Sequence, residues 1–312
     1  MFYFKTHLKN MNSTPISVVM ATCNGVQYLQ EQIESILQQT LQPVEIIICD
    51  DASDDGTQEI LKAYEKKGLI KYYANEKRLG VVGNFKKGVA LAQEGNYIAL
   101  SDQDDIWMPH KLATLHEALF KLENKERKLD KPCIVYSDLI LVDENKNELN
   151  KSFWNELYHD VHEHCLPTLL FGNFVTGCSV MMNSATKQYF FSTPNQILHD
   201  VWLAFVGNTI GSIKAIPTPL MYYRQHAQNQ NYQQGKTKQT KSHLRWLRFK
   251  MLFTKNKYLQ QEYFIAKTFL VKYANSIPLA KQKIISRFLL TQKMPHFIKE
   301  IALKIYFSGR WK

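Results

Sequence analysis

One repeating pattern constrains the fold of this chain more than any other feature. Short, largely apolar runs stop at a turn or at carboxylates, and each is followed by a segment of helical character. Ile16–Met20 is rich in β-branched residues and gives way to Asn24-Gly25, as expected of a buried strand closed by a turn. Tyr28–Gln39 then sets Leu29, Ile33, Ile36 and Leu37 on one helical face. Val44–Cys49 is a second apolar run, halted at Asp50-Asp51; Ser53–Gly56 carries turn chemistry, and Thr57 is placed to cap a helix running to Lys66. Ile70–Tyr73 predicts a third strand, Asn84–Ala92 a helix, Tyr97–Leu100 a fourth strand, and Pro109–Leu122 a helix with proline near its first turn. Strands and helices alternating at this spacing predict an α/β fold with a doubly wound, mostly parallel sheet. Such sheets bind ligands beyond the carboxyl ends of their strands. Two of those ends carry clustered acids: Asp50-Asp51, and Asp102, Asp104 and Asp105.

Charge divides the chain in two. The net charge is +11 over 312 residues, but residues 236–312 hold 18 Lys and Arg against Glu262 and Glu300, leaving 21 basic and 26 acidic groups in the first 235. This predicts a catalytic body over 1–235 and a basic, mainly helical region over 236–312, joined through the polar stretch Gln225–Gln239. From residue 242 to 307, apolar and basic residues alternate in helical rhythm, as in Leu244, Leu247, Met251 and Leu252. Trp246, Phe249, Phe253 and Tyr306 lie among the Lys and Arg residues, a pattern suited to the surface of an anionic membrane. A nucleic-acid-binding protein would carry its positive charge over the folded body, so the acidic body argues against nucleic acid as a partner. The cysteines, Cys23, Cys49, Cys133, Cys165 and Cys178, are odd in number and without a CxxC pair, which fits free thiols in a reducing cytosol. No apolar stretch reaches the about 18 residues of a membrane span, and Met1–Asn12 is too short in apolar length for a signal peptide. The expected location is cytoplasmic, peripheral on the inner face of the membrane.

Ser101-Asp102-Gln103-Asp104-Asp105 concentrates three carboxylates at one strand end. Their repulsion is relieved by a hard divalent cation, Mg²⁺ or Mn²⁺, which takes oxygen ligands and shares them with a diphosphate. Such an ion neutralises charge on a departing nucleoside diphosphate. The same residues would also serve as a solvated turn capping the next helix. A carboxylate at Asp50-Asp51 has the same two readings, a turn former or an acceptor for the N3–H of uracil or thymine. The chain has neither GxxxxGK[ST] nor GxGxxG, so carboxylates and a metal, rather than a glycine cradle, would hold a nucleotide. His159, His162, His164 and Cys165 lack the second ligand pair of a structural zinc site and read as an exposed loop.

SVVMATCNGVQYLQEQIESILQQT, EIIICDDASDDGT, LGVVGNF and ALSDQDDIWMPHK together resemble, in order and spacing, the motifs of family 2 glycosyltransferases with their GT-A fold, over about residues 15–230. SDQDDIWMPHK, His199-Asp200-Val201-Trp202 and Tyr223-Arg224-Gln225-His226 are more narrowly similar to the bacterial rhamnosyltransferase-like branch. The resemblance implies an inverting, metal-dependent transferase of cell-surface polysaccharide biosynthesis, with a UDP- or dTDP-linked donor and a saccharide or lipid-linked acceptor. It implies that Asp51 contacts the base, that Ala21, Thr22 and Cys23 line base and ribose, and that Arg78 approaches the diphosphate. Asp102 would meet the ribose or diphosphate, Asp104 and His226 the metal, and Asp200 would be the catalytic base. Cys23 stands where many relatives carry Tyr, removing a stacking partner for the base. Trp202 and, with it, Trp154 read as aromatic faces for an acceptor sugar or equally as core, and Phe174–Val180 as a glycine-permitted close approach beside the acceptor site or as ordinary strand-and-turn packing. L-Rhamnose from dTDP-rhamnose is the donor implied by the narrower likeness; a UDP-hexose or UDP-N-acetylhexosamine is the alternative. A sugar-nucleotide pyrophosphorylase would need a Gly-rich, basic loop where this chain has Ala21-Thr22-Cys23-Asn24-Gly25.

Overall fold

The computed structural model describes residues 14–126, 130–157, 160–226, 259–294, 298–299 and 302–303. The chain runs β1 (Ile16–Thr22), α1 (Leu29–Leu37), β2 (Glu45–Asp50), α2 (Thr57–Lys66), β3 (Lys71–Ala74), α3 (Gly80–Leu91), β4 (Tyr97–Ser101), β5 (Ile106–Trp107) and α4 (Lys111–Glu126). It continues through β6 (Cys133–Val142), β7 (Glu148–Asn150), α5 (Phe153–Glu156), α6 (Leu166–Leu169), β8 (Val180–Met182), α7 (Lys187–Phe191), α8 (His199–Thr209) and β9 (Ser212–Arg224). Two further helices are α9 (Gln260–Tyr273) and α10 (Leu279–Thr291).

Among the described residues the strands form one sheet in the order β3-β2-β1-β4-β8-β6-β9-β5, with β7 on the edge of β6. The first four are mutually parallel, β8 runs antiparallel between β4 and β6, and β6 pairs β9 in parallel. The α/β sheet expected from the sequence is therefore present, parallel over its first four strands and mixed beyond them. β1, β2 and β4 read as unbroken apolar runs because both of their faces are covered. Val18, Met20, Ile46, Ile48 and Ala99 enter one core with Leu29 and Ile33 of α1, Leu61 of α2 and Leu115 of α4. Val19, Ile47, Cys49, Ile98 and Leu100 enter the other, with Phe85 of α3 and Leu203 and Phe205 of α8. α3 lies close on β1 because residue 88 is glycine: a Cβ there would come within 2.5 Å of Val19 Cγ1.

α9 and α10 contribute Tyr263, Phe269, Ile285 and Phe288 to the same core as α8. Trp202 sits at that junction, fully buried, edge-on to Phe269 at 4.9 Å and donating its indole N–H to the Tyr189 carbonyl at 3.1 Å. This corrects the acceptor role expected for Trp202: its ring packs the C-terminal helices onto the body and has no face open to a sugar. Trp154, 4 % exposed, is likewise core. His164 is not part of an exposed loop; it stacks on Phe174 at 4.4 Å and its Nδ1 lies 2.7 Å from the Tyr136 hydroxyl. His162 is exposed, and His159 lies outside the described residues. Thr57 does not cap α2: Gly56 is the cap position, and the Thr57 hydroxyl accepts the Gly25 N–H at 2.8 Å. The polar stretch expected after Gln225 and the helical rhythm through Leu244, Trp246, Leu247, Phe249, Met251, Leu252 and Phe253 lie mostly outside the described residues, as does Tyr306. No helix of the described residues is long and apolar enough to cross a membrane.

Phe269→Ala empties the contact that joins α9 to Trp202 and Phe205. Its expected cost is about 3–5 kcal/mol, as for other large-to-small changes in cores, read as a fall in the urea midpoint at unchanged slope.

Candidate active site

The loops beyond β1, β2 and β4 are fastened to one another before any ligand arrives. Gln103 grips the β1 loop at two points, accepting the Cys23 N–H at 2.8 Å and donating to the Cys23 carbonyl at 3.1 Å. Gly25 leaves room for this amide, since a Cβ there would collide with the Gln103 side chain. Asn24, held at φ 51°, exchanges hydrogen bonds with Asp54 and donates its own N–H to Ser53 Oγ at 2.8 Å. Asp50 is fully buried and closes the β2 turn by accepting from Thr22 Oγ1 and from the N–H and hydroxyl of Ser53. Asp50 is thus the turn former of the acidic pair, and Asp51 is the one that reaches the cleft.

Asp51 accepts the backbone N–H groups of Leu79 at 2.6 Å and Gly80 at 2.9 Å, together with Asn75 Nδ2 at 2.9 Å. The carboxylate therefore holds the first turn of α3, where unpaired N–H groups and the helix dipole favour an anion. Asn84, from the same helix, donates to the Cys49 carbonyl at 2.8 Å and so ties α3 to the end of β2. Arg78 is exposed just before α3, and its charge acts on the Cys23 thiol, which burial pushes above its usual range.

A cavity of about 240 Å³ opens between these loops and the start of α8. Its walls include Ala21, Thr22, Cys23, Asp51, Asp102, Asp104 and Asp200. Most of the residues singled out from the sequence thus meet in one place. Thr176 and Gly177, from the stretch expected beside the acceptor, also line it, as do Asn84, Phe85, His199 and Tyr223, which belong to the motifs quoted above but were given no individual role. Their signal in sequence was weak, because each reads locally as ordinary helix, turn or strand.

The acidic strand end is tightly built. Asp104 Oδ2 lies 2.8 Å from His226 Nε2. Burial, then the charge of Asp104, raises the Asp102 carboxyl to about 7. Asp105 is wholly enclosed, its Oδ2 has no hydrogen-bond partner, and burial with the neighbouring carboxylates pushes it well above the usual range. Lys111 supplies a buried cation beside them; burial brings its ammonium down to about 8, and it donates to the Cys178 carbonyl at 2.7 Å over the ring of Trp107. Arg224, 2 % exposed, fixes the loop from behind: Nε donates to the Asp104 carbonyl at 3.0 Å, NH1 to the Glu144 carbonyl at 3.0 Å, and NH2 to Glu31 at 2.6 Å.

Clustered carboxylates with an orphaned oxygen suit a divalent cation. Asp102, Asp105 and Cys178 bring ligand atoms within 4.8 Å of one another. However, the Cys178 thiol is buried and driven well above its usual range, which keeps it protonated, and hard cations prefer oxygen. Asp102 and Asp104 face the cavity, and His226 adjoins Asp104.

Asp200 begins the opposite wall in the first turn of α8. Its carboxyl accepts the Val201 N–H at 2.6 Å, yet burial outweighs its backbone hydrogen bonds and raises it to about 6. It therefore ionises near neutrality, as suits a group that collects a proton.

Residues 17–190 match the model of the family described as Glycosyl transferase family 2. An uncharacterized glycosyltransferase of Methanocaldococcus jannaschii is 38% identical over 151 residues, 47% of this chain and 49% of that protein. One of Rickettsia prowazekii is 27% identical over 221 residues, 70% of this chain and 66% of that protein. The chain thus aligns with about half to two thirds of the length of these relatives. Among solved structures, S. aureus TarS 1-349 in complex with UDP-GlcNAc superposes with a TM-score of 0.52 at 13% identity, covering 94% of this chain and 89% of that one. At that identity the likeness is one of fold.

Arg224→Met removes the partner of two part-buried carbonyls, those of Asp104 and Glu144, and one partner of the Glu31 carboxylate. The expected loss is about 1–3 kcal/mol, measured by chemical denaturation; Arg224→Lys restores only part of it because one ammonium does not reproduce the guanidinium fork.

Proposed function

The chain belongs to glycosyltransferase family 2, and from that premise we propose that it moves a sugar from a nucleoside-diphosphate donor to a hydroxyl of a saccharide or lipid-linked acceptor, with inversion at the transferred carbon. The observation that carries this reading is the convergence of Asp51, Asp102, Asp104 and Asp200 on one cavity. Asp51, pinned at the start of α3, faces the base; Ala21, Thr22 and Cys23 wall the nucleoside; Arg78, exposed just before α3, approaches the diphosphate. Asp104 and His226 would hold Mg²⁺ or Mn²⁺, with Asp102 toward the ribose or diphosphate, and the ion would supply countercharge to the leaving diphosphate. Asp200 takes the proton of the acceptor hydroxyl as that oxygen bonds to the sugar, and the nucleoside diphosphate departs from the opposite face.

For the donor, dTDP-rhamnose is the first reading, from His199-Asp200-Val201-Trp202 and Tyr223-Arg224-Gln225-His226. A UDP-N-acetylhexosamine is the second, prompted by the UDP-GlcNAc complex of TarS. The product belongs to a cell-surface polysaccharide such as a capsule or O-antigen. We assign the body to residues 1–235 and a surface-binding role to 236–312, working at the cytoplasmic face of the membrane. Supporting that role, Val271, Leu279 and Leu290 are exposed on α9 and α10, in a region with 18 Lys and Arg.

A release assay for UDP or dTDP, run over a panel of nucleotide sugars with Mn²⁺, tests the reading. Asp200→Asn should keep donor binding and lower transfer by roughly 10²–10⁴-fold, whereas Asp104→Ala should lose the metal-dependent part of donor binding. Near-normal transfer by Asp200→Asn removes the base assignment. Because the folded carboxyl of Asp200 is raised to about 6, the rate should fall as pH drops through about 6. The stability contribution of the same group runs the other way: it is greatest at low pH and is lost as pH rises through that value.

Exchange of Lys241, Arg245, Arg248 and Lys250 for Gln should abolish co-flotation with phosphatidylserine vesicles and leave release from a soluble donor intact. Undiminished flotation counts against the membrane role.

A further inference from the structure

His199 opens α8 and is 5 % exposed, yet neither of its ring nitrogens has a hydrogen-bond partner. The other buried histidines among the described residues are engaged: His116 with the Thr14 carbonyl at 3.0 Å, and His226 with Asp104 at 2.8 Å. Buried polar groups in folded proteins are satisfied with few exceptions, and an exception calls for a ligand or a function. His199 also lines the cavity that holds Asp200.

The surroundings hold the ring in place without satisfying it. Phe85 of α3 packs against it at 4.5 Å and Phe190 of α7 at 5.6 Å. Gly177 makes the space, since a Cβ at that position would lie 2.7 Å from His199 Nε2. Burial lowers the imidazole to about 4, so near neutrality it is uncharged, with one nitrogen a donor and the other an acceptor. If packing were its only task, an apolar ring would fill the same place and strand no polar atoms. A neutral ring offering both roles suits a hydroxyl, which likewise donates and accepts, better than it suits a phosphate.

We propose that His199 is a specificity-determining side chain that hydrogen-bonds a hydroxyl of the donor's sugar and so distinguishes the nucleotide sugar from the bare nucleoside diphosphate. The assignment rests on the transferase reading above and adds to it. The donor, rather than the acceptor, is favoured because the ring leans on Phe85, from the helix whose first turn Asp51 holds. Asp200, the next residue, remains free to meet the incoming hydroxyl.

The test is calorimetric titration of wild type and His199→Phe with four probes in the presence of Mn²⁺: UDP, UDP-GlcNAc, dTDP and dTDP-rhamnose. Phe keeps the aromatic packing and removes both nitrogens. Expected is unchanged affinity for UDP and dTDP, with a loss of roughly ten- to a hundredfold for the nucleotide sugar that the wild type hydrolyses, the scale of one hydrogen bond in an enclosed site. His199→Gln should recover part of that loss. Equal weakening of free diphosphate and nucleotide sugar would make the residue structural and overturn the proposal. So would unchanged donor affinity with a defect confined to transfer, which would give the ring to the acceptor. Wild type that binds none of the four probes would overturn the transferase reading itself, and this result is separate from either outcome for the variant.

Discussion

Mutual repulsion among carboxylates is the constraint around which this molecule is organised. Asp51, Asp102, Asp104 and Asp200 face one cavity, with Asp105 enclosed behind them. Two like charges about 5 Å apart repel by roughly 3 kcal/mol at an effective dielectric near 20, so the arrangement needs relief. The protein supplies some of it. Asp51 is neutralised in part by the N–H groups that begin α3, Lys111 lies beside Asp102 and Asp105, and Arg224 braces the backbone of Asp104. Burial, together with what remains, raises the proton affinities of Asp102 and Asp105. A cation bound with a diphosphate would displace those protons and complete the site.

The sheet explains why these acids meet. β1, β2 and β4 are adjacent and parallel, so their carboxyl ends fall on one edge and the loops that follow are neighbours, although Cys23, Asp51 and Gln103 are far apart in sequence. Gln103, Asn24 and Asp50 then lock the loops together. α8 approaches from the other half of the sheet, carrying Asp200 across from Asp104. Its own orientation is set by Trp202, against which Phe269 and Tyr273 of α9 pack. The C-terminal helices thereby bear on the position of Asp200 without touching the cavity.

Much of this was legible from residues alone. Apolar runs that end in a turn or in acids located β1, β2 and β4 to within a residue or two, because strands buried on both faces leave a clear pattern. The acids at Asp51, Asp102 and Asp104 followed from where parallel sheets bind ligands. β5 to β9 were not foreseen: β5, β7 and β8 are short, and β6 and β9 carry irregularities in register. Trp202 was misjudged because a tryptophan beside a candidate base looks the same whether it faces a ligand or a helix. Only the packing of Phe269 and Tyr273 distinguishes the two. Arg224 and His199 were hidden for a different reason. Their significance lies in partners made or missing across the fold, which no local pattern records.

The central claim is that these carboxylates gather a cation and a nucleoside diphosphate into the cavity between β4 and α8. Crystals grown with Mn²⁺ and UDP, with data collected at the manganese absorption edge, address it directly. The account predicts an anomalous peak bonded to Asp104 and to the diphosphate oxygens, with the uracil lying toward Asp51. A nucleotide bound elsewhere, or a manganese peak away from Asp102, Asp104 and His226, would contradict it.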